Sequence, residues 1–174
     1  GLTPDKYPVM SVSVAEEEVR QIGPEFLVGH YAAWNYFQTV ETPENANWVK
    51  AFKAEYGEDR VTNDPMEAAY IMVYLWKQAV EKAGTADDLE KVRQAAIGQT
   101  FQAPEGLVTV NPNHHISKIV RIGQVRQDGL FDIVWSTNDP VKPEAWNQYV
   151  PTTKGYSCDW TDPNKGEKFK LEGV

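Results

Sequence analysis

One long segment with an uncharged middle constrains the fold most. Residues 63–84 read NDPMEAAYIMVYLWKQAVEKAG, and the stretch AAYIMVYLW within them carries no charge. Asp64 is predicted to cap this helix, Pro65 to occupy its first position and Glu67 to complete a capping box. A helix that is apolar on nearly all sides needs burial on more than one side. We therefore expect it to lie inside a larger α/β fold.

Two shorter helices are predicted before and after this segment. Thr42 as cap, Pro43 at the first position and Gly57 as terminator predict the earlier one, ETPENANWVKAFKAEYG. Thr85 and Gly98 bound the later one, TADDLEKVRQAAIG. The earlier helix carries an apolar stripe of Val49, Phe52 and Tyr56, and the later one is amphipathic.

Strand-like alternation marks both ends of the chain. Residues 8–14 and 26–32 predict two strands around a short helix, and LVTV, SKIVRIGQVRQ and LFDIVWS predict three more. Asp128-Gly129 predicts a two-residue hairpin turn with positive φ at both positions. The result is an α/β chain with about five strands, fewer than an open parallel sheet usually carries. We therefore expect the three long helices to lack a sheet of their own.

Composition excludes some classes of function. The net charge of −8 and pI near 4.9 argue against binding to nucleic acid or to anionic lipid, which requires clustered Lys and Arg. The one cysteine, Cys158, allows neither a disulfide within the chain nor a cysteine-based zinc site. No apolar run is long enough to span a bilayer. The start GLTPDKYPVM does not begin with Met and leads into a strand, which indicates a piece of a longer chain.

The adjacent His114 and His115 suggest a metal site or a catalytic pair. Neighbouring side chains in an extended segment point to opposite faces, and His30 is far away in sequence. No motif resembles an activated serine or cysteine nucleophile. We favour a polar turn before a strand. An amidase or metal hydrolase built on the pair stays an alternative that metal analysis and an ammonia-release assay would test.

Paired carboxylates also suggest acid–base chemistry. Glu16, Glu17 and Glu18 lie at the start of the first short helix, where the helix dipole favours negative charge. Ser13 with Glu16 is predicted to form a capping box there. We expect the run to form a solvated face.

Three segments resemble a known family. GHYAAWNYFQTVETPEN, NDPMEAAYIMVYLWKQAVEKAG and APEGLVTVNPNHHISKIVRIGQVRQDGLFDIVWS, in this order, are similar to the urea and short-chain amide branch of the type I periplasmic binding proteins, related to branched-chain amino-acid binding proteins. The resemblance spans about residues 5–160. It implies two three-layer α/β/α lobes joined by three crossovers, with the solute in the cleft between them.

The resemblance implies a division of the chain as well. It identifies the chain as the C-terminal half only, with residues 1–38 and 104–150 in the second lobe. Residues 39–103 would supply helices of the first lobe, and residues 151–174 form an irregular tail. The implied function is that of the substrate-binding subunit of an ABC importer in the periplasm, partnered by permease subunits, with no catalytic residue, metal or cofactor. A branched-chain amino-acid binding protein and a cytoplasmic amide-sensing regulator are the alternatives.

Candidate ligand-binding residues lie where strands and helices meet. Ligands of open α/β folds bind at the carboxyl ends of strands. A small neutral solute such as urea, a short amide or an amino acid needs a few placed polar groups beside an aromatic wall. Ser13 and Glu67 are equally explained as capping residues. The candidates are Ser11, Ser13, Asn35, Tyr36, Asp64 and Glu67.

The division into halves predicts association behaviour. The helix around Ile71, Val73 and Leu75 should expose an apolar face that another lobe would cover. We expect self-association or poor order of residues 43–98, and negligible solute binding by this chain alone.

Overall fold

The structure is a computed structural model that describes residues 2–144. The part of the chain up to Val141 forms one compact unit, to which the following description applies. The predicted tail 151–174 lies outside the described residues.

The described residues form five helices and seven strands. In chain order these are β1 Met10–Ser11, α1 Glu16–Ile22, α2 Pro24–Leu27, β2 Tyr31–Trp34, α3 Pro43–Tyr56, α4 Asp64–Ala83, α5 Leu89–Ala96, β3 Thr100–Ala103, β4 Gly106–Val110, β5 Ile116–Ser117, β6 Arg121–Val125 and β7 Phe131–Ser136.

A four-stranded mixed sheet holds the first apolar core. Its order is β1-β2-β6-β7, with β1 parallel to β2 and the other pairs antiparallel. Phe37 and Phe131 pack with ring centroids 4.7 Å apart and are fully buried. A Cβ on Gly123 would lie 2.8 Å from the Phe37 ring, so only glycine fits at that position of β6.

A second, three-stranded antiparallel sheet has the order β3-β4-β5. α4 packs on it through Ile71 and Leu75, which contact Val108 and Val110. The expectation that the helices lack a sheet is therefore wrong. The expectation failed because β3 was not recognised as a strand: its four-residue sequence TFQA shows too little alternation.

The N-terminal elements differ from their predicted form. The first strand is Met10–Ser11 rather than residues 8–14. Residues 26–32 begin in α2, because Pro24 suits the first position of a helix, and Gly29 with φ +86° then turns the chain into β2.

One helix cap is confirmed, and it ties two parts of the fold together. The Thr42 hydroxyl accepts from the Asn45 N–H at 3.0 Å and donates to the Pro104 carbonyl at 2.7 Å. Pro43 and Gly57 bound α3 as predicted. The same hydroxyl thus starts α3 and fixes the turn between β3 and β4.

Three other predicted caps are wrong by one to three residues. Asn63, not Asp64, caps α4, and Asp88, not Thr85, caps α5. α1 begins after Ala15, whose N–H donates to Glu18 at 2.9 Å, so Ser13 and Glu16 form no capping box. Adjacent Asn, Asp, Ser and Thr are all good caps, so composition alone does not choose among them.

The last hairpin has a longer loop than predicted. Gly129 has φ +81°, but Asp128 lacks a positive φ, and the Arg126 N–H donates to the Leu130 carbonyl at 2.8 Å. A three-residue loop with one left-handed glycine matches this pattern.

The predicted boundary between lobes at residues 103 and 104 crosses the β3–β4 hairpin, in which Ala103 pairs with Gly106. Within residues 104–117, β4 pairs with β3 and β5 pairs with β4, so these strands belong to the three-stranded sheet and not to the four-stranded one. The assignment of segments to two lobes stays a prediction.

Candidate functional site

A polar network joins the two sheets, and we call it the junction network. Its members come from the segment after β2, the first turns of α4, the β3–β4 turn and the connection between β5 and β6. They are Asn35, Tyr36, Asp64, Glu67, Glu105, Lys118 and Arg121.

Asp64 holds the segment that follows β2. Its Oδ2 accepts from the backbone N–H of Asn35 at 3.0 Å and of Tyr36 at 2.9 Å. The Asn35 side-chain amide donates to the Ile119 carbonyl at 2.8 Å. One carboxylate of α4 and one amide therefore connect the end of β2 to the segment that enters β6.

Tyr36 is a fully buried phenol in this segment. Its hydroxyl donates to Asn45 Oδ1 at 2.7 Å and lies 2.8 Å from the Thr62 hydroxyl. Its ring meets Trp48 edge-on at 5.5 Å. Burial raises the pKa of Tyr36 well above its ordinary value, so the phenol is neutral.

Glu67, Glu105 and Lys118 meet at the centre of the network. Lys118 Nζ lies 2.8 Å from Glu105 Oε1 and 3.6 Å from Glu67 Oε2. Glu67 Oε1 accepts from the Glu105 N–H at 3.2 Å. Both glutamates are almost completely buried. The cation thus links α4 to the β3–β4 turn.

Arg121, the first residue of β6, connects that strand to the segment after β2 and to the β3–β4 turn. Its guanidinium donates to the Asn35 carbonyl and, at 2.8 Å, to the Glu105 carbonyl. Its Nη1 also lies 4.0 Å from Glu105 Oε2. Burial lowers the pKa of Arg121, although the nearby carboxylates oppose that shift.

Burial dominates the electrostatics of the glutamates. It raises the pKa of Glu67 to about 8, with Glu105 adding repulsion and Lys118 opposing. The pKa of Glu105 is also raised by burial, against the attraction of Lys118. Burial alone would lower the pKa of Lys118, but Glu105 and Glu67 outweigh it and raise the pKa.

Glu16 contradicts the prediction of a solvated face. It is fully buried, and its Oε1 accepts from the Gln38 N–H at 2.7 Å. Its other oxygen has no hydrogen-bond donor among the described residues. Burial raises the pKa of Glu16 to about 8. The segment after β2 is thus bound at both ends: Asp64 accepts from Asn35 and Tyr36 at its start, and Glu16 accepts from Gln38 further along.

The structure brings together four of the six candidate ligand residues. Asn35, Tyr36, Asp64 and Glu67 belong to the junction network, whereas the two serines lie at the end of β1. The Ser11 hydroxyl accepts from the N–H groups of Ser13 and Val14 at 3.1 and 3.0 Å, and Ser13 is exposed. The direct role of all six in solute binding stays a prediction.

Sequence reasoning missed three members of the network. Glu105 follows a proline in what looks like an ordinary polar turn, and Lys118 and Arg121 lie in a run that alternates like a surface strand. One signal could have found Lys118 and Arg121. In the run SKIVRIG they lie three residues apart among apolar residues, and cations in such a segment need buried carboxylates as partners.

The paired histidines lie in the β4–β5 turn, as predicted. His114 has φ +62°, and its Nε2 lies 2.9 Å from Arg93 Nη1. The His115 ring nitrogen Nδ1 lies 3.1 Å from the Asn113 carbonyl oxygen. The two rings therefore have different neighbours. Across residues 2–144, no three His, Cys, Asp or Glu side chains form a group that could hold a metal ion.

A polar cavity of about 440 Å³ opens beside β7. Its lining includes Thr39 and Thr42, whose hydroxyls both donate to backbone carbonyls at 2.7 Å. Arg126, also in the lining, lies 3.4 Å from Asp132. Two hydroxyls and one guanidinium of this cavity are thus engaged by the protein.

An apolar groove of about 410 Å³ lies between α4 and α5. The predicted apolar face exists, but it is formed by Met72, Val73 and Trp76, which are 58%, 64% and 57% exposed. Ile71 and Leu75 are instead buried against the second sheet. Self-association through this face stays a prediction that light scattering would test.

No helix among the described residues combines the length and apolar character that crossing a membrane requires.

Comparison with known proteins identifies the family. The sequence profile of the family described as "Periplasmic binding protein domain" matches residues 1–152. The chain belongs to the periplasmic binding protein family. The predicted type I α/β fold is confirmed by solved structures of this family. One is a solute-binding protein of an R. palustris ABC transporter in complex with benzoate, with a TM-score of 0.70 at 16% identity, covering 80% of this chain and 38% of that one.

Curated relatives match a similar portion of the chain. "Limonene hydroxylase" of Geobacillus stearothermophilus is 37% identical over 131 residues, which are 74% of this chain and 24% of that protein. "Leu/Ile/Val-binding protein homolog 6" of Brucella abortus is 24% identical over 119 residues, which are 67% of this chain and 30% of that protein. This periplasmic binding protein chain therefore spans about a quarter to a third of the curated relatives it matches.

Proposed function

We propose that this chain is one portion of the solute-binding subunit of an ABC importer. The observation that carries the proposal is the family match over residues 1–152. The solute-binding protein of the R. palustris ABC transporter supports it through the shared fold. In this fold a solute is enclosed when two lobes close around it, which excludes water from a few hydrogen bonds.

The proposed solute is urea or a short aliphatic amide. The three sequence segments that resemble the urea and amide branch support this choice, and neutral solutes suit a site without an exposed cluster of cations. A branched-chain amino acid is the first alternative, since the Brucella abortus relative is named for leucine, isoleucine and valine. An aromatic carboxylate is a further alternative, since benzoate occupies the R. palustris protein.

The six candidate residues divide into two groups under this proposal. Ser13, exposed at the end of β1, and the neighbouring Ser11 are proposed to contact the solute. Asn35, Tyr36, Asp64 and Glu67 are proposed to act indirectly, because their side chains bind neighbouring segments inside the protein. Their role would be to hold the segments that connect the two sheets.

Permease subunits and a periplasmic location complete the proposal. The alternative on the same fold is a cytoplasmic amide sensor that regulates gene expression. Fractionation of cells that express the gene would separate the two, because a transport subunit must be found outside the cytoplasmic membrane. Ammonia release from amides would reveal an amidase, which the proposal excludes.

Titration calorimetry on the full-length protein tests the proposed solute. Urea, acetamide, leucine and benzoate are titrated separately, and we expect heat from urea or acetamide alone. Binding of leucine or benzoate alone would overturn the solute while retaining the transport role. The same titrations of the 174-residue chain should show negligible heat, and full affinity there would contradict binding between two lobes.

A matched pair of serine variants tests the proposed contact. We expect Ser13→Ala to weaken solute binding by about 5-fold to 10-fold, the usual effect of losing one neutral hydrogen bond. Ser136→Ala, at an equally exposed position at the end of β7, should leave the affinity unchanged. Equal affinities of the wild type and Ser13→Ala would remove the serine from the site.

A further inference from the structure

The charges of the junction network do not balance. Three carboxylates, Asp64, Glu67 and Glu105, face two cations, Lys118 and Arg121. The five side chains are buried or nearly so. If all five were ionised, one negative charge would have no partner in an environment where water cannot screen it. Buried groups in this position take up a proton instead.

Hydrogen bonding indicates which carboxylates can hold that proton. Asp64 accepts hydrogen bonds from two backbone N–H groups through one oxygen, so this carboxyl already has donors inside the protein. Glu67 Oε2 and Glu105 Oε2 have no hydrogen-bond donor within the described part of the chain, and the single cation Lys118 lies 2.8 Å from Glu105 Oε1. The proton therefore belongs to the pair formed by Glu67 and Glu105.

We propose that Glu67 and Glu105 hold one proton between them in the folded chain, and that losing it loosens the junction between the two sheets. Glu67 lies on α4 and Glu105 in the β3–β4 turn, and the Glu105 N–H donates to Glu67 Oε1 at 3.2 Å. With one proton present, Lys118 compensates the single remaining charge. Without it, two carboxylates repel each other across the contact that joins helix and turn.

The groups that face Glu67 come from every element packed around it. Its own helix supplies Asp64 and Tyr70, the β3–β4 turn Glu105, the β5–β6 connection Lys118, β6 Arg121 and the segment after β2 Tyr36. Both tyrosines have a raised pKa and stay neutral over the range where the glutamates titrate. The balance among the two cations and three carboxylates therefore decides the protonation state.

The direction of the pH effect follows from the raised pKa of Glu67. Burial raises it from 4.5 to about 8, so the folded chain binds this proton more tightly than the unfolded chain does. The contribution to stability is complete below pH 4.5 and is lost as the pH rises through about 8. The junction is thus tight at acidic pH and loosens on the alkaline side, whichever solute the protein binds.

Urea unfolding of the 174-residue chain between pH 5 and pH 9 tests the proposal. We expect the unfolding midpoint of the wild type to fall with rising pH. In Glu67→Gln it should fall less, with the proton uptake linked to folding reduced by up to about one proton per chain. At pH 9 the variant should unfold at higher urea than the wild type. Glu81→Gln, exposed on the same helix beside Lys77, should keep the wild-type pH dependence.

A uniform loss of stability in Glu67→Gln at every pH would overturn the proposal, because it would indicate a structural role without a proton. If that variant fails to fold, carboxyl ¹³C NMR of Glu16→Gln decides, since this variant lacks the other glutamate with a strongly raised pKa. We expect one glutamate to titrate on the alkaline side of pH 7. Titration of every glutamate below pH 6 would also overturn the proposal.

Discussion

The apolar core of the four-stranded sheet and the junction network are similarly buried but depend on different interactions. Phe37 and Phe131 fill the core, where stability comes from removing apolar surface from water and from close packing. Glu67, Glu105 and Lys118 lie as deep, yet they stabilise the fold only in the right state of charge. The comparison shows that burial alone does not reveal how a region responds to pH.

Removing an aromatic ring from the core should have the largest effect. We expect Phe131→Ala to lower the free energy of unfolding by about 4 kcal/mol, through lost burial and the cavity that remains. The loss should be the same at pH 5 and pH 8, since the burial and packing of two apolar rings do not depend on pH. Urea unfolding at both values measures it, with Phe131→Leu as a milder control. A loss that varied strongly with pH would break the comparison.

Removing the cation of the junction should cost slightly less but depend on pH. Lys118→Met leaves Glu67 and Glu105 without their shared partner, and we expect a loss of about 3 kcal/mol near neutral pH. The loss should be greater at pH 8 than at pH 5, because protonation neutralises the glutamates at lower pH. Unfolding of the double variant Glu67→Gln/Lys118→Met provides the control, and it should recover part of the stability. Additive losses would show that the two residues do not interact.

Glu16 is a second buried charged site, and replacing its carboxylate should stabilise the chain at alkaline pH. Its pKa is raised from 4.5 to about 8, so its contribution is full below pH 4.5 and lost as the pH rises through 8. Glu16→Gln keeps the acceptor for the Gln38 N–H and cannot ionise. We expect little change at pH 5 and a gain of about 1–3 kcal/mol at pH 9, the usual cost of an unsatisfied buried group.

Thermal unfolding at the two pH values measures this gain. Glu25→Gln, an exposed change in the neighbouring α2, should have no effect at either pH. A destabilised Glu16→Gln at pH 9 would show that the ionised carboxylate is compensated by its surroundings.

The sequence predicted the parts of both regions that local patterns encode. The bounds of α3 follow from Thr42, Pro43 and Gly57. The uncharged stretch of α4 predicted burial on more than one side, but Met72, Val73 and Trp76 within it are more than half exposed. The sequence singled out Asn35 and Asp64 as candidate ligand residues, and the two meet in the junction network, although their role in solute binding stays a prediction.

Other features could not be predicted because they depend on distant residues. Contacts of Glu105 with Lys118 and Arg121 join separate segments and leave no periodic trace in the sequence. From the sequence, Glu16 was expected to be a surface charge stabilised by the helix dipole. In the structure it is buried, and its carboxylate accepts from the backbone N–H of the distant Gln38. The short strand β3 has only a weak local preference, and its pairing with β4 makes it a strand.

The smallest expected effect separates polar from charged contributions to the junction. Thr42 carries no charge, but its hydroxyl caps α3 and donates to the carbonyl of Pro104, next to Glu105. We expect Thr42→Ala to cost about 1 kcal/mol, as for a lost helix cap, and Thr42→Ser to cost less because the hydroxyl remains. Urea unfolding at pH 5 and pH 8 should give equal losses. If the loss grew at pH 8, the hydroxyl would have to restrain the β3–β4 turn against the repulsion between Glu67 and Glu105, and the polar and charged parts of the junction would act as one unit.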